Sequence, residues 1–278
     1  MIKTDVKDFW EAAACGEDLL LPSEDRKGFQ IQSDQRYRLE PFIIDFAEFD
    51  IWKGKCVLEI GVGLGADHQK FVESGANIVG IDLTNRAIEL TRSRLKAFDL
   101  NSTLEIGDAE SLAFSEETFD CVYSWGVIHH SPDTQRAVKE IYRVLRPGGI
   151  AKVMIYNKWS MVGIMLWLRY ALMRLKPWVT LTTVYAEYLE SPGTKAFTTK
   201  EARRLFGDFD VVNVATVLSH GDLLASAAGQ RHRGKVLDLA RLVWPRWFIK
   251  RYMKNWGLFM MINAQKGPKK TTGIAKTA

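Results

Sequence analysis

The sequence predicts an α/β fold built on a doubly wound parallel sheet. Three observations carry that expectation. A short apolar run, Val57 to Ile60, ends in glycines at alternate positions, Gly61, Gly63 and Gly65. A second apolar run ends in an acid, Gly80-Ile81-Asp82, 21 residues beyond Gly61. From Cys56 to Tyr156, strand-like runs alternate with helix-periodic segments, the pattern of βα units. Strand, glycine turn, helix, strand, carboxylate is the order that builds a nucleotide site. Glycine accepts φ > 0 and lets a ligand approach the backbone. An acid ending the neighbouring strand can accept hydrogen bonds from ribose hydroxyls.

Taken in order, residues 1–50 read as a helical cap, amphipathic in patches (Val6, Phe9 and Trp10, then Phe42, Ile43, Phe46 and Phe49). Residues 51–158 form the nucleotide-binding core. Within it Ala87 to Phe98 is helical, with Ile88, Leu95 and Phe98 apolar, and Thr103 to Ile106 is the third strand. Phe119 to Ser124 is the fourth strand and runs into Trp125-Gly126-Val127-Ile128-His129-His130-Ser131-Pro132-Asp133. Arg136 to Leu145 is a helix with Ala137, Val138, Ile141 and Leu145 on one face. Pro147-Gly148-Gly149 closes it, and Ile150 to Tyr156 is the fifth strand. Residues 159–196 read as a hydrophobic helical lid and 197–267 as the C-terminal part of the sheet, with a basic, aromatic insertion at 225–256. Residues 268–278 read as a flexible tail.

The glycines alone do not choose the nucleotide. Gly61, Gly63 and Ala66 also satisfy the dinucleotide pattern G-x-G-x-x-G/A, so an NAD-binding oxidoreductase stands as an alternative. Three later features weigh against it: Asp108-Ala109 after the third strand, the His-His-Ser-Pro-Asp loop after the fourth, and Leu145-Arg146-Pro147-Gly148-Gly149.

With Glu59-x-Gly61-x-Gly63-x-Gly65, Asp82, Asp108-Ala109 and the Leu-Arg-Pro-Gly-Gly segment in register, the chain resembles class I S-adenosylmethionine-dependent methyltransferases. It is most similar to the small-molecule branch typified by ubiquinone- and menaquinone-pathway enzymes. The resemblance is strong over residues 54–157 and returns weakly at Val211–Val217 and Gly257–Ala264, which look like the last two strands of that fold. It implies a seven-stranded Rossmann-like methyltransferase sheet with its last strand antiparallel. The cofactor implied is S-adenosyl-L-methionine, leaving S-adenosyl-L-homocysteine as product, with no metal expected.

By the same resemblance, Gly61, Gly63 and Gly65 let the chain pass the methionine part of the cofactor. Glu59 lies near its amino group through water. Asp82 holds the ribose hydroxyls, Leu83 lies beside the adenine, and Asp108 accepts from the adenine amine with Ala109 offering an amide. Ser124 and Trp125 fall beside the sulfonium. The plainer readings are a helix N-cap for Asp82 and a turn aspartate for Asp108. The Asn/Asp-Pro-Pro-aromatic motif of DNA-base amine methylation is replaced by Ser124-Trp125-Gly126-Val127. Arg36 and Arg38 could reach the cofactor carboxylate, although a solvated helix face is the plainer reading.

His129 and His130 are the titrating pair of the site region, histidine being the natural base near neutral pH. His129 is the first candidate base and Tyr156 the second, with a purely structural role for the loop equally open. Trp125, His130, Asn157 and Trp159 are the candidate acceptor contacts, lying where open α/β sheets bind ligands.

Composition sets bounds. The 278 residues suffice for one domain with insertions, and 47% hydrophobic with 26% charged is ordinary for a soluble protein. Cys15, Cys56 and Cys121 match no metal spacing or disulfide framework. The N-terminal residues carry no signal-peptide pattern, so cytoplasm is the default, with peripheral attachment to the inner face of a membrane as its variant. Charge is divided: residues 1–150 hold 17 Lys+Arg against 26 Asp+Glu, whereas 151–278 hold 21 against 7. Such an imbalance points to an anionic partner for the basic half.

Two stretches there carry unusual composition. Trp159 to Leu175 is rich in Met, Leu and Trp, but Arg169 interrupts it well short of the ~20 residues that span a bilayer. Lys235 to Trp256 interleaves Trp244, Trp247, Phe248, Tyr252 and Trp256 with Arg241, Arg246, Lys250, Arg251 and Lys254, broken at Pro245. Tryptophan beside Lys and Arg suits an anionic membrane surface, and also RNA. The favoured reading is a methyltransferase acting on a small lipophilic acceptor at a membrane. RNA or protein methylation by the basic half is the alternative, with nucleic acid the less favoured partner. The acceptor atom and the oligomeric state stay open.

Overall fold

The protein is described by a computed structural model covering residues 3–225, 241–242 and 244–268. Half of the 225–256 insertion and nearly all of the 268–278 tail lie outside the described residues.

Seven strands form one sheet: β1 (Cys56–Ile60), β2 (Asn77–Asp82), β3 (Thr103–Ile106), β4 (Phe119–Trp125), β5 (Leu145–Tyr156), β6 (Val211–Val217) and β7 (Phe259–Gln265). Their order is β3-β2-β1-β4-β5-β7-β6. The pairs among β1 to β5 are parallel, whereas β7 lies antiparallel between β5 and β6. The sheet therefore has the expected seven strands with the last in sequence antiparallel. The order reverses between β1 and β4, which opens a crevice at their carboxyl ends. β1 and β4 sit at the centre, and their near-continuous burial explains why both are mostly apolar, interrupted by Glu59 in the first and by Asp120 and Ser124 in the second.

Helices cover both faces. α7 (Thr134–Val144) and α10 (Thr199–Leu205) pack on one side through Val138, Ile141, Val144, Ala202 and Leu205. On the other side α4 (Phe42–Ala47) and α5 (Ala66–Glu73) pack through Ile43, Ala47 and Phe71. The remaining N-terminal helices are α1 (Lys3–Ala12), α2 (Glu17–Leu20) and α3 (Arg26–Leu39). α6 (Asn85–Ala97) follows β2, capped by the Thr84 hydroxyl on the Ala87 amide. The Asp133 carboxylate caps α7 on Arg136 N–H, so that helix starts two residues earlier than its apolar periodicity suggests.

One boundary differs more. Leu145 pairs with Phe119, and a register shift follows before Cys121 meets Ile150. Pro147-Gly148-Gly149 therefore bulges within β5 and is not a stop ahead of a later strand, with Gly148 at φ 82°.

After β5 the chain leaves the sheet as α8 (Met161–Tyr170) and α9 (Leu181–Tyr188). The Tyr185 hydroxyl lies 2.7 Å from the Ser160 hydroxyl and donates to the Asn157 carbonyl, pinning this insertion to the end of β5. Beyond β6, α11 (Arg246–Tyr252) begins just after Pro245, where a helix start tolerates the missing amide. Among the described residues no helix is long and apolar enough to cross a membrane.

Candidate active site

A cavity of 630 Å³ lies over the crevice at the carboxyl ends of the central strands. Gly61, Gly63, Gly65, Glu59, Asp82, Leu83, Asp108 and Ala109 all line it. The glycine turn has to be glycine for two separate reasons. Gly61 takes φ 83°, and a Cβ there would stand 2.1 Å from Val127 Cγ2. Gly63 takes φ 53° and faces open space, with nothing within 4 Å of where a Cβ would be. That gap in the cavity wall is a cradle for a ligand and no packing contact fills it.

Asp82 is tightly held. The Thr84 hydroxyl and amide donate to its Oδ1 at 2.8 and 3.0 Å, and the Gly63 amide donates to Oδ2 at 3.3 Å. A carboxylate has about four acceptor positions, so Asp82 retains capacity for a ribose. Burial raises its pKa against these donors. It buttresses the cap, while Thr84 itself performs the capping. Glu59 spends one oxygen on His68 Nδ1 at 2.8 Å.

α1 closes the end of the cavity beside Asp108. Lys3 reaches Asp108 and Glu110, each at 2.6 Å, and Glu11 accepts from the Asn85 and Arg86 amides at the start of α6. Val6 and Trp10 line the cavity from the same helix. Asp108 also accepts from the Glu110 amide at 2.9 Å, as a turn aspartate would.

Arg36 corrects the solvated-face reading. It forms a fork on Asp67, Nε to Oδ1 at 3.1 Å and Nη2 to Oδ2 at 2.6 Å, while the Tyr37 and Tyr123 hydroxyls donate to the same carboxylate. Burial opposes charge on Asp67, but Arg36 and these hydroxyls outweigh it and hold the carboxyl below its usual range. The structure thus sets a fixed guanidinium in the cavity wall. These residues fit S-adenosylmethionine: an acid for the ribose, a glycine cradle and Arg36 for the carboxylate.

The acceptor side differs from expectation. Trp125, His130 and Tyr156 line the cavity, but Ser124, His129, Asn157 and Trp159 do not. Side chains alternate along a strand, so with Trp125 facing the cavity Ser124 points into the core, its hydroxyl buried without a partner. Asn157 donates to the Trp159 and Gly257 carbonyls and accepts from the Trp159 amide, holding the turn that starts the insertion. Trp159 is 54% exposed.

His129 lies behind the wall, its ring 4.0 Å from that of Tyr156 and 4.2 Å from that of His130. It is wholly buried with no hydrogen-bond partner for either nitrogen among the described residues. Burial, then the neighbouring His130 and Lys195, push its pKa well below 6.5, so it stays neutral. A base must reach its proton, and His130 is the imidazole at the wall.

This burial has a measurable consequence. Below pH 6.5 the unfolded chain binds a proton at His129 that the folded chain refuses, so stability falls as pH falls. His129→Phe removes that dependence. Relative to the variant, the native protein should lose up to about 1.4 kcal/mol per pH unit below the unfolded pKa. Urea denaturation of both from pH 8 to pH 5.5 reads the difference, and parallel curves would refute it.

Three residues were missed by sequence reasoning. Glu190 follows α9 and accepts from the Tyr156 hydroxyl at 2.8 Å, with His130 Nε2 3.4 Å away. Glu40 and Trp10 come from the N-terminal cap. Burial, opposed by Arg36, pushes Glu40 up to about 7, with Asp67 and Glu190 adding to the rise. No spacing in the sequence links them, because each arrives from a different segment. The ligand atoms of His129, His130 and Glu190 lie within 4.8 Å of one another. Donors around a zinc-sized ion at ~2.1 Å stand at most ~4.2 Å apart, so this cluster would have to contract to hold one.

Comparison with known proteins agrees with this geometry. Residues 58–153 match the family described as "Methyltransferase domain". Phosphoethanolamine N-methyltransferase 2 of Caenorhabditis elegans is 34% identical over 111 residues, 39% of this chain and 25% of that protein. The ubiquinone biosynthesis O-methyltransferase of Coxiella burnetii is 30% identical over 97 residues, 35% of this chain and 42% of that protein. The chain thus spans well under half the length of these curated relatives. A phosphoethanolamine N-methyltransferase from Haemonchus contortus, solved with phosphomonomethylethanolamine and S-adenosylhomocysteine, shares the fold with a TM-score of 0.60 at 18% identity. That match covers 95% of this chain and 60% of the other. On the fold, the cradle and the domain match together, the chain carries a class I S-adenosylmethionine-dependent methyltransferase domain.

Proposed function

We propose that the protein methylates a small lipophilic acceptor that it draws from an anionic membrane surface. The observation that carries this reading is the continuity of the cavity. The volume beside Asp82 and Gly63 also touches Met165, Leu166, Leu168, Met173 and Leu224. Met173 lines it and is 69% exposed, so the apolar end reaches the surface there.

The exposed surface of the insertion and of the segment around α11 is apolar and cationic. Leu175, Trp178, Trp247 and Tyr252 are exposed, beside exposed Arg174, Lys176, Lys250, Arg251 and Lys254. The segment that carries the second group is joined to the insertion through Trp244. Trp244 lines the cavity and donates to the Asp222 carbonyl, and Asp222 accepts from the Val162 amide in α8. Aromatic rings among cations match the headgroup level of an anionic bilayer.

The bound cofactor supplies a methyl group already activated by its sulfonium, so transfer is an in-line displacement. The chain's own task is alignment and exclusion of water, worth roughly 7–11 kcal/mol in well-aligned systems. Asp82 and Arg36 fix the two ends of the cofactor, Trp125 and Tyr156 wall the reacting centre, and α1 with the α8–α9 insertion covers it.

The test supplies methyl-tritiated S-adenosylmethionine and vesicles made from a total lipid extract. Label is expected in organic-extractable material, rising with the anionic lipid fraction and falling with salt. Trp247→Ala combined with Arg251→Ala should cut vesicle co-sedimentation several-fold. Label in RNA or protein in place of lipid would favour the other substrate class and overturn the reading.

A further inference from the structure

Around the glycine cradle the charged side chains of the cavity answer one another. Arg36 pairs with Asp67 and Glu40, Lys3 with Asp108 and Glu110, and His68 with Glu59. Glu190 accepts from the Tyr156 hydroxyl and lies 3.4 Å from His130 Nε2. Arg169 is different. It lines the cavity from α8, yet it forms no ion pair and no hydrogen bond among the described residues. Its guanidinium lies 5.3 Å from the ring centre of its neighbour Tyr170.

Arg169 belongs to the face of α8 that forms the apolar wall. Val162, Met165, Leu166 and Arg169 all line the cavity and follow one another at the spacing of a single helix face. An arginine that only solubilised the helix would stand on the opposite face. Arg169 is instead half-buried at the end of the apolar row, four residues before Met173, which lines the same cavity and is exposed. Gly221 also lines it, and a Cβ there would stand 3.3 Å from Val162 Cγ2. The acid next to that glycine, Asp222, is wholly buried and accepts from the Val162, Ser219 and Leu258 amides. It therefore leaves the guanidinium unanswered. A partly desolvated arginine gains most from an oxyanion, which its planar fork grips with two parallel hydrogen bonds.

Resting on the reading of a lipophilic acceptor, we propose that the acceptor is an anionic amphiphile whose carboxylate or phosphate is received by Arg169, with its apolar segment along Met165 and Leu166. Nine residues of helix separate Arg169 from the Ser160 cap that follows β5, about 13 Å of rise. Trp125 and Tyr156 wall the reacting centre at the strand ends, so the acid is a handle held apart from the atom that is methylated. A cationic chain would meet like charge at Arg169. A neutral one would leave the guanidinium half-desolvated without its counter-ion.

Calorimetric titration of the full chain, with and without S-adenosylhomocysteine, uses decanoate, decyl phosphate, decanol and decylamine below their aggregation concentrations. The better of the two acids should bind at least about tenfold more tightly than decanol, with decylamine weakest, as a charge-assisted contact requires. That acid identifies the group Arg169 receives. Acetate and inorganic phosphate, which lack the chain, should bind at least about tenfold more weakly than their decyl counterparts. Arg169→Met keeps the apolar row and should bring the acid to within about threefold of decanol. Arg169→Lys, which restores the charge, should keep the acid ahead. Decanol binding as tightly as either acid, chain-free anions binding as tightly as the decyl acids, or an Arg169→Met variant that keeps the preference would each overturn the proposal. Failure of all four decyl compounds to bind would strike the lipophilic-acceptor reading and this proposal with it, whereas decanol binding without an acid preference would leave that reading standing.

Discussion

Asp82→Ala is expected to abolish measurable binding of S-adenosylhomocysteine. Asp82 sits at the end of β2 with Oδ1 taken by Thr84 and Oδ2 accepting from the Gly63 amide at 3.3 Å. The ribose hydroxyls would complete that carboxylate. Hydrogen bonds to a charged group contribute about 1.5–3 kcal/mol each, so losing two should weaken binding by about 100-fold or more. The Gly63 amide also loses its partner, which loosens the cradle. The fold should persist, because Thr84 caps α6 through its own hydroxyl. Calorimetry with S-adenosylhomocysteine and NAD⁺ on native and variant protein provides the check. The native chain should bind the first alone. NAD⁺ binding, or an unaffected variant, would contradict the assignment of this acid to the ribose.

Arg94→Met is the largest stability loss anticipated. Arg94 in α6 is fully buried, and it donates to the Leu64 carbonyl at 2.6 Å, to Ser33 at 2.8 Å and to Gln69 at 3.0 Å. It also donates to Gln32 and lies over the Phe29 ring. Burial lowers its pKa to about 10, yet it stays protonated at neutral pH. Methionine fills the volume but strands a carbonyl and two amide oxygens, and such losses typically cost about 3–5 kcal/mol. Because Leu64 belongs to the glycine turn, cofactor affinity should fall with stability. Urea denaturation measures the first and calorimetry the second. A loss below about 1 kcal/mol would show that the network contributes little beyond packing.

Both residues expose how far the chain can be read before it folds. Asp82 is legible because the strand that carries it and the glycines that face it lie within one βα unit, where local periodicity fixes position. Strand β3 and strand β6 begin and end as their apolar runs do. Arg94 gives no such signal. It reads as one more cation on a helix face, and only the docking of α3 over α6 buries it. The bulge at Pro147-Gly148-Gly149 was misread for a similar reason, since glycine and proline mark a break in either a helix or a strand and only pairing with Phe119 decides which.

The acceptor side shows the same division. His129 and His130 are adjacent in sequence, where His129 reads as the first candidate base, but the turn sets His129 behind the wall and His130 in it. Asn157 and Trp159 follow the fifth strand as ligand contacts would, yet the start of the insertion claims them.

By itself the sequence determined the layered α/β class, the parallel core, the glycine cradle and its acid, because these depend on neighbours within a few tens of residues. Tertiary structure alone decided that Arg36 is fixed on Asp67 in the cavity wall, that α1 covers Asp108, and that Glu40 and Glu190 line the same cavity as Tyr156. Those groups come from residues 3 to 190, and their proximity depends on how cap and insertion pack across the sheet. Burial, which sets the charge of His129 and Glu40, exists only once that packing has removed the water.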